Sequence, residues 1–265
     1  MNFPFKFDET IIKETIFSGI PCFFGIDFFT NKKRALYQGL KDDCFNHGIW
    51  IYDRIYNNEK PIDIAFLGSS RTVNGINDHL MEEKYAQQKL NVVNFGYCRL
   101  GMNLNYILLK EIVKAKKIKT IVLEVRQDED RYSHLIFPYI ADSKDVLFPN
   151  LLFNRDFISD YYNHFSYKLK ILRNSIFNAT TNKEIKTEDF GFASHPDTAL
   201  LLSLNQIKEK RAVHRTELTE MERNFYMKFP RAYLKKIAEI YEQNNIQMFF
   251  LYLPEYGSLV YKPKE

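Results

Sequence analysis

Four short apolar runs, rich in β-branched and aromatic residues and separated by helical stretches, set the first limit on how this chain can fold. The run Ile62-Asp63-Ile64-Ala65-Phe66-Leu67 lies between Pro61 and Gly68. Asn91-Val92-Val93-Asn94-Phe95 ends at Gly96, and Thr120-Ile121-Val122-Leu123-Glu124-Val125 follows a helical stretch from Leu104 to Lys116. Gln247-Met248-Phe249-Phe250-Leu251-Tyr252-Leu253 comes after Arg231 to Asn244, where Tyr233, Leu234, Ile237, Ile240 and Tyr241 recur at helical spacing. Runs of this length between turn formers read as buried strands. Parallel neighbours need crossover connections, so strands alternating with helices predict an α/β fold. The expected form is a three-layer sandwich with a central, flavodoxin-like parallel sheet and helices on both faces. In such sheets ligand sites gather at the carboxyl ends of strands.

The rhythm breaks between the third run and the last helix. About a hundred residues, Asp130 to Pro230, do not alternate strand with helix, and a structureless loop of that length is improbable in a compact domain. They are expected to form a largely helical insertion at about 130–230, with helices near Arg155 to Asn178 and Ala199 to Met227. Residues 1–60 are read as an N-terminal helical segment packing on the core, and 61–265 as the α/β domain. The chain is 45% hydrophobic, enough for one sizeable core. Its 17 Tyr and 23 Phe are frequent between Phe137 and Phe229, where an aromatic core is the first expectation and a groove or interface the second.

The charge balance, 37 Lys+Arg against 33 Asp+Glu, is mixed along the chain, so nucleic acid is not an implied partner. Cys22, Cys44 and Cys98 are too few and too irregular for a disulfide framework or zinc site and read as buried or free thiols. No His/Cys/Asp cluster has metal-ligand spacing, and phosphate-loop and dinucleotide motifs are missing, so neither metal nor cofactor is implied. The apolar segment Ile16 to Phe29 contains Pro21 and Asp27 and is shorter than the roughly 20 residues of a membrane span. It reads as a packed or interfacial helix, and the N-terminus lacks the pattern of a cleavable signal.

The stretch Phe66-Leu67-Gly68-Ser69-Ser70-Arg71-Thr72 puts small residues and a hydroxyl at the carboxyl end of the first core strand. Gly68 permits a tight turn. If a helix follows, its free N–H groups face the Ser70 hydroxyl, where a developing oxyanion would gain most. Plain N-capping by serine explains the same residues. Asn94-Phe95-Gly96-Tyr97 ends a second core strand, so a backbone N–H at Gly96 would face the same crevice.

Gly68-Ser69-Ser70, Asn94-x-Gly96 and an apolar strand running into a polar cluster together resemble the SGNH/GDSL hydrolase superfamily, nearest its DltD-like branch of envelope acyl-transfer proteins. The resemblance spans about Ile62 to Val125. It implies Ser70 as nucleophile and Gly96 as an oxyanion-hole donor beside the Ser70 amide; where relatives place an asparagine this chain has Arg126-Gln127-Asp128-Glu129-Asp130, in which Gln127 is a candidate side-chain donor and a solvated charge run the other reading. Arg71, Asn94 and Arg126 are the expected substrate-binding residues. The implied activity is a serine esterase or O-acyltransferase acting on acyl esters of a carbohydrate or cell-envelope polymer, with an envelope location and a membrane-associated partner.

The family's Asp-x-x-His block, which follows the last core strand, is absent before Glu265. A serine without a base is a poor nucleophile. Truncation, substitution by another histidine, and a non-catalytic binding or assembly role all remain open. Among His47, His79, His134, His164, His195 and His214, the best placed substitute is His134, which follows Asp128 and Asp130 after a strand end.

Overall fold

The computed structural model describes residues 25–28, 30, 33–40, 47–126, 133–147, 154, 156–177, 205 and 219–252. Helices α1 (Lys33–Gln38) and α2 (His47–Tyr52), the latter continued by a π-helical turn over Asp53–Asn57, precede β1 (Ile62–Leu67). Helices α3 (Ser70–Gly75) and α4 (Asp78–Lys84) lead to β2 (Val92–Asn94), and α5 (Met102–Ala115) leads to β3 (Ile118–Val125). The insertion contributes α6 (Phe137–Ile140), α7 (Ser143–Leu147), α8 (Phe157–Ile176) and α9 (Glu220–Tyr226). Helix α10 (Lys228–Gln243) then feeds β4 (Gln247–Tyr252).

All strands are parallel, in the order β2-β1-β3-β4. Crossovers of this kind are right-handed, so stepping out from β1 to β2 and back across β1 to β3 puts the two connections on opposite faces. Helices α3 and α4 therefore cover one face, while α5 and α10, whose strands step the same way, share the other and pack on each other. The result is the expected three-layer α/β sandwich. Reversal of the strand order at β1 and β3 creates a switch point, and a crevice outside their carboxyl ends.

Strand boundaries follow pairing more closely than hydropathy. β3 begins at Ile118, which pairs with Ile62, and includes Lys119, whose ammonium meets the Asp63 carboxylate at 2.6 Å. β2 has only three residues, although the Phe95 N–H still donates to the Phe66 carbonyl at 2.8 Å. The core joins Ile62, Leu67, Ile121 and Leu123 of the sheet to Leu108 and Ile112 of α5 and to Tyr233 and Ile237 of α10. Each such side chain contributes roughly 1.5–3 kcal/mol when fully buried.

Leu36, Tyr37, Trp50, Ile51 and Ile55 of the N-terminal helices belong to that same cluster. Rings of the insertion pack as well: Phe137 and Phe229 lie edge-on to Tyr233, and Tyr139 is edge-on to Tyr167. Charges hold these layers where apolar contact ends. Lys33 reaches Glu111 of α5 at 3.2 Å, Tyr56 donates to the same carboxylate at 2.6 Å, and Lys110 of α5 binds Asp142, beside α7, at 2.6 Å.

Cys98 is disulfide-bonded, which corrects the expectation of free thiols. The other cysteines, Cys22 and Cys44, lie outside the described residues, so only pairing in space, which spacing does not encode, distinguishes the two cases. Most of the predicted helix from Ala199 to Met227 and most of the apolar segment Ile16 to Phe29 are also outside the described residues. No helix among the described residues is long and apolar enough to cross a membrane.

Arg54 ties the N-terminal segment to the sheet. Its guanidinium stacks 4.0 Å over the Trp50 ring, ion-pairs with buried Asp78 and donates to the Asn94 carbonyl. Removing one partner of such a pair leaves an uncompensated charge. Arg54→Ala is expected to cost about 3 kcal/mol in urea unfolding, with part of the loss recovered in Arg54→Ala/Asp78→Asn; no change in the single variant would show that this contact does not hold the segment.

Candidate functional site at the end of β1

The chain leaves β1 at Leu67, turns through Gly68 and Ser69, and enters α3 at Ser70. Ser69 is an N-cap in extended conformation, its hydroxyl oxygen accepting from the Arg71 N–H at 3.2 Å. The neighbouring strand supplies a feature that hydropathy alone hides. Glu124, one residue before the end of β3, is fully buried and directs its carboxylate into this turn. It accepts from the Ser69 N–H at 2.7 Å, from the Ser69 hydroxyl at 2.8 Å and from the Thr72 hydroxyl at 2.6 Å. Arg126 Nε stands 3.7 Å from its other side. A carboxylate buried without such partners would cost several kcal/mol or neutralise.

This arrangement fixes the residue types around it. A Cβ on Gly68 would overlap Thr72 Oγ1 and the Glu124 carboxylate, so only glycine lets β1 and β3 close over the acid. A Cβ on Gly96 would overlap the Val73 amide, so only glycine lets the loop after β2 lie against the start of α3. Three donors of this strand-to-helix turn, the Ser69 N–H and hydroxyl and the Thr72 hydroxyl, are engaged by the protein's own carboxylate.

Ser70 is different. It is exposed, and neither its hydroxyl nor its amide has a hydrogen-bond partner among the described residues. The turn thus buries one serine and exposes the next at the carboxyl end of β1.

The other expected site residues separate into those that build the turn and those that stand apart. Asn94 is not a surface substrate contact. It is buried, its amide donates to the Thr72 and Ile76 carbonyls at 2.9 Å each, and its oxygen accepts from the Gly96 N–H at 2.8 Å. The same bond engages the Gly96 N–H, the expected oxyanion donor, within the protein. Arg71 is half-buried next to Ser70, while Arg126 serves as the counter-charge to Glu124. Gln127 lies outside the described residues.

His134, the expected substitute base, is held by its own neighbours. Its Nε2–H donates to the Cys98 carbonyl at 2.6 Å and its Nδ1 accepts from the Ile136 N–H at 3.1 Å, so neither ring nitrogen is left to take a proton from serine. Burial pushes its pKa down to about 4, which keeps it neutral. Sequence reasoning placed it near a strand end without seeing that the loop after β2 would claim the ring. Glu124 lies inside the third strand run, where the sequence by itself assigns it no role. Its signal was an acid inside a β-branched run on a strand that must be buried on both faces.

Two concavities frame the molecule. One of about 450 Å³ is lined by Arg99, Ser133, His134, Tyr139, Asp156 and Asp160, next to the loop after β2. Burial raises the Asp160 pKa to about 6 even though Asn154 donates to its carboxylate at 2.9 Å. The other, of about 840 Å³, lies at the amino ends of β1 and β3, away from Ser70, and collects Lys60, Lys89, Lys116, Lys117 and Lys119. Several of these lysines follow helix ends, where cations complement the helix dipole. No group of three His, Cys, Asp or Glu side chains among the described residues could hold a metal ion. Comparison with family models, with curated proteins and with solved structures finds no match.

The buried imidazoles give the fold a pH signature. His164, with Nδ1 2.8 Å from the Pro138 carbonyl and Nε2 3.0 Å from the Ser143 hydroxyl, is shifted down like His134. Their folded pKa lies below the unfolded value, so their contribution is present above about 6.5 and lost as pH falls towards about 4. Asp160 acts oppositely: its contribution is lost as pH rises through about 6. With two imidazoles against one carboxyl, stability in urea is expected to fall by about 2 kcal/mol between pH 7 and pH 5. Asp160→Asn should steepen that fall, whereas a flat profile would contradict a neutral, buried His134.

Proposed function

We propose that this chain is an SGNH-like serine acyl-transfer domain, an esterase or O-acyltransferase for acyl esters of carbohydrate or cell-envelope polymer, with Ser70 as nucleophile. One observation carries the reading. Ser70 offers an exposed hydroxyl and amide without a partner among the described residues at the switch-point end of β1, on a turn that Glu124 pins from beneath. In the reaction, Ser70 Oγ bonds to the ester carbonyl carbon as its proton passes to a base, and the Ser70 N–H donates to the oxyanion. Collapse breaks the bond to the leaving alkoxide, which takes the proton. The acyl group then passes from Ser70 to water or to a sugar hydroxyl.

The base is not His134 or His164, whose ring nitrogens are engaged. The histidines to test are His79, exposed on α4, and His195 and His214, outside the described residues. A disulfide at Cys98 favours an oxidising compartment, in keeping with an envelope role.

A second reading, a non-catalytic binding or assembly protein on the same fold, is favoured by the engagement of both His134 and the Gly96 N–H. Fluorophosphonate labelling followed by intact mass and peptide mapping separates the two. The enzyme reading predicts a single adduct on Ser70 that disappears in Ser70→Ala. An inert wild-type chain would leave the binding reading.

A further inference from the structure

We infer that Glu124 is the positioning residue of this site: its buried carboxylate sets the orientation of the Ser69-Ser70 turn and thereby the reactivity of Ser70. The inference rests on the reading of Ser70 as nucleophile and adds a group that no part of the motif specifies.

Three donors converge on one carboxylate from two different parts of the turn, the cap residue Ser69 and Thr72 in the first turn of α3. Together they bracket Ser70 on both sides. Ser69 is held by three hydrogen bonds at two atoms, because its amide and its hydroxyl donate to Glu124 while the same hydroxyl oxygen accepts from the Arg71 N–H. With its neighbours so held, the backbone of Ser70 has little freedom, and its exposed amide and hydroxyl keep one orientation at the carboxyl end of β1. A second set of contacts fixes the opposite wall: Asn94 binds the Thr72 and Ile76 carbonyls, and Gly96 packs on the Val73 amide. Gly96 also lies against the Ser69 carbonyl, but only the first set hydrogen-bonds the Ser69 amide and hydroxyl. Glu124 also comes from β3, so it ties the reacting turn to the central strand of the sheet rather than to a loop. Rigid support of this kind sets the geometry of a reacting group, and misplacement by about 1 Å can cost 100-fold in rate.

The test uses the full chain and a phosphonate or carbamate inactivator that shows saturation, so that kinact and KI are read separately. Glu124→Gln keeps the shape and one acceptor oxygen but cannot accept from all three donors. The expected result is a kinact at least 10-fold lower per folded molecule, with KI within about 2-fold of wild type. Thr72→Val and Ser69→Ala, each removing part of the donor set, should fall between the two, and they decide the question if Glu124→Gln fails to fold. Variants that melt earlier but label at the wild-type kinact would overturn the inference alone, showing a purely structural acid. A wild-type chain that takes no label would overturn it together with the nucleophile reading.

Discussion

A carboxylate with no exposure to water needs its charge answered locally, and in this protein the answer is the turn that leads from β1 into α3. Glu124 brings its charge to the point where the sheet's strand order reverses, and the donors that satisfy it come from Ser69 and Thr72. The turn supplies the acid's hydrogen-bond donors, and the acid is the acceptor that the described residues give those donors. Both glycines beside it follow from the same constraint, since Gly68 lets the carboxylate approach and Gly96 lets the next loop close over the start of α3. Among the described residues the hydroxyl and amide of Ser70 are left without a hydrogen-bond partner, exposed at the carboxyl end of β1.

The rest of the molecule holds that crevice still. Apolar packing between α5, α10 and the sheet supplies the main support, while charges take over at the layer edges. Lys33, Tyr56 and Lys114 converge on Glu111, and Lys110 bridges Asp142 and Asp145, so the N-terminal segment and the insertion are fastened to one face of α5. Nearly buried Lys168 lies 3.2 Å from Asp27, which also accepts from the Ser143 N–H at 2.6 Å. Desolvation lowers the Lys168 pKa while Asp27 opposes that shift, so the insertion helix α8 carries a charge whose partner comes from the N-terminal segment.

Much of the architecture was legible in the sequence because it depends on periodicity. The four strands and the helices α5, α8 and α10 fall where β-branched runs and helical spacing put them, within a few residues at each end. The site was legible only as far as single loops reveal it. Gly68, Ser70 and Gly96 stood out because turns demand small residues, whereas the direction of the Asn94 side chain and the Gly96 N–H depends on α3 lying across the loop after β2. His134 illustrates the limit from the other side: its ring is claimed by Cys98 and Ile136, neighbours that sequence distance does not disclose. Glu124 belongs to the same class, since an acid in an apolar strand shows that something must satisfy it without showing what.

The most direct measurement on this account is amide hydrogen exchange at Ser69 in the native protein, followed by NMR with mapping to the single residue. If Glu124 holds the turn, the Ser69 amide exchanges only through global unfolding, at the same free energy as the amides of β1 and β3, and loses that protection in Glu124→Gln. If the Ser69 amide exchanges as fast as an exposed loop in the wild-type protein, the buried carboxylate does not organise the turn, and the explanation of Ser70's presentation falls with it.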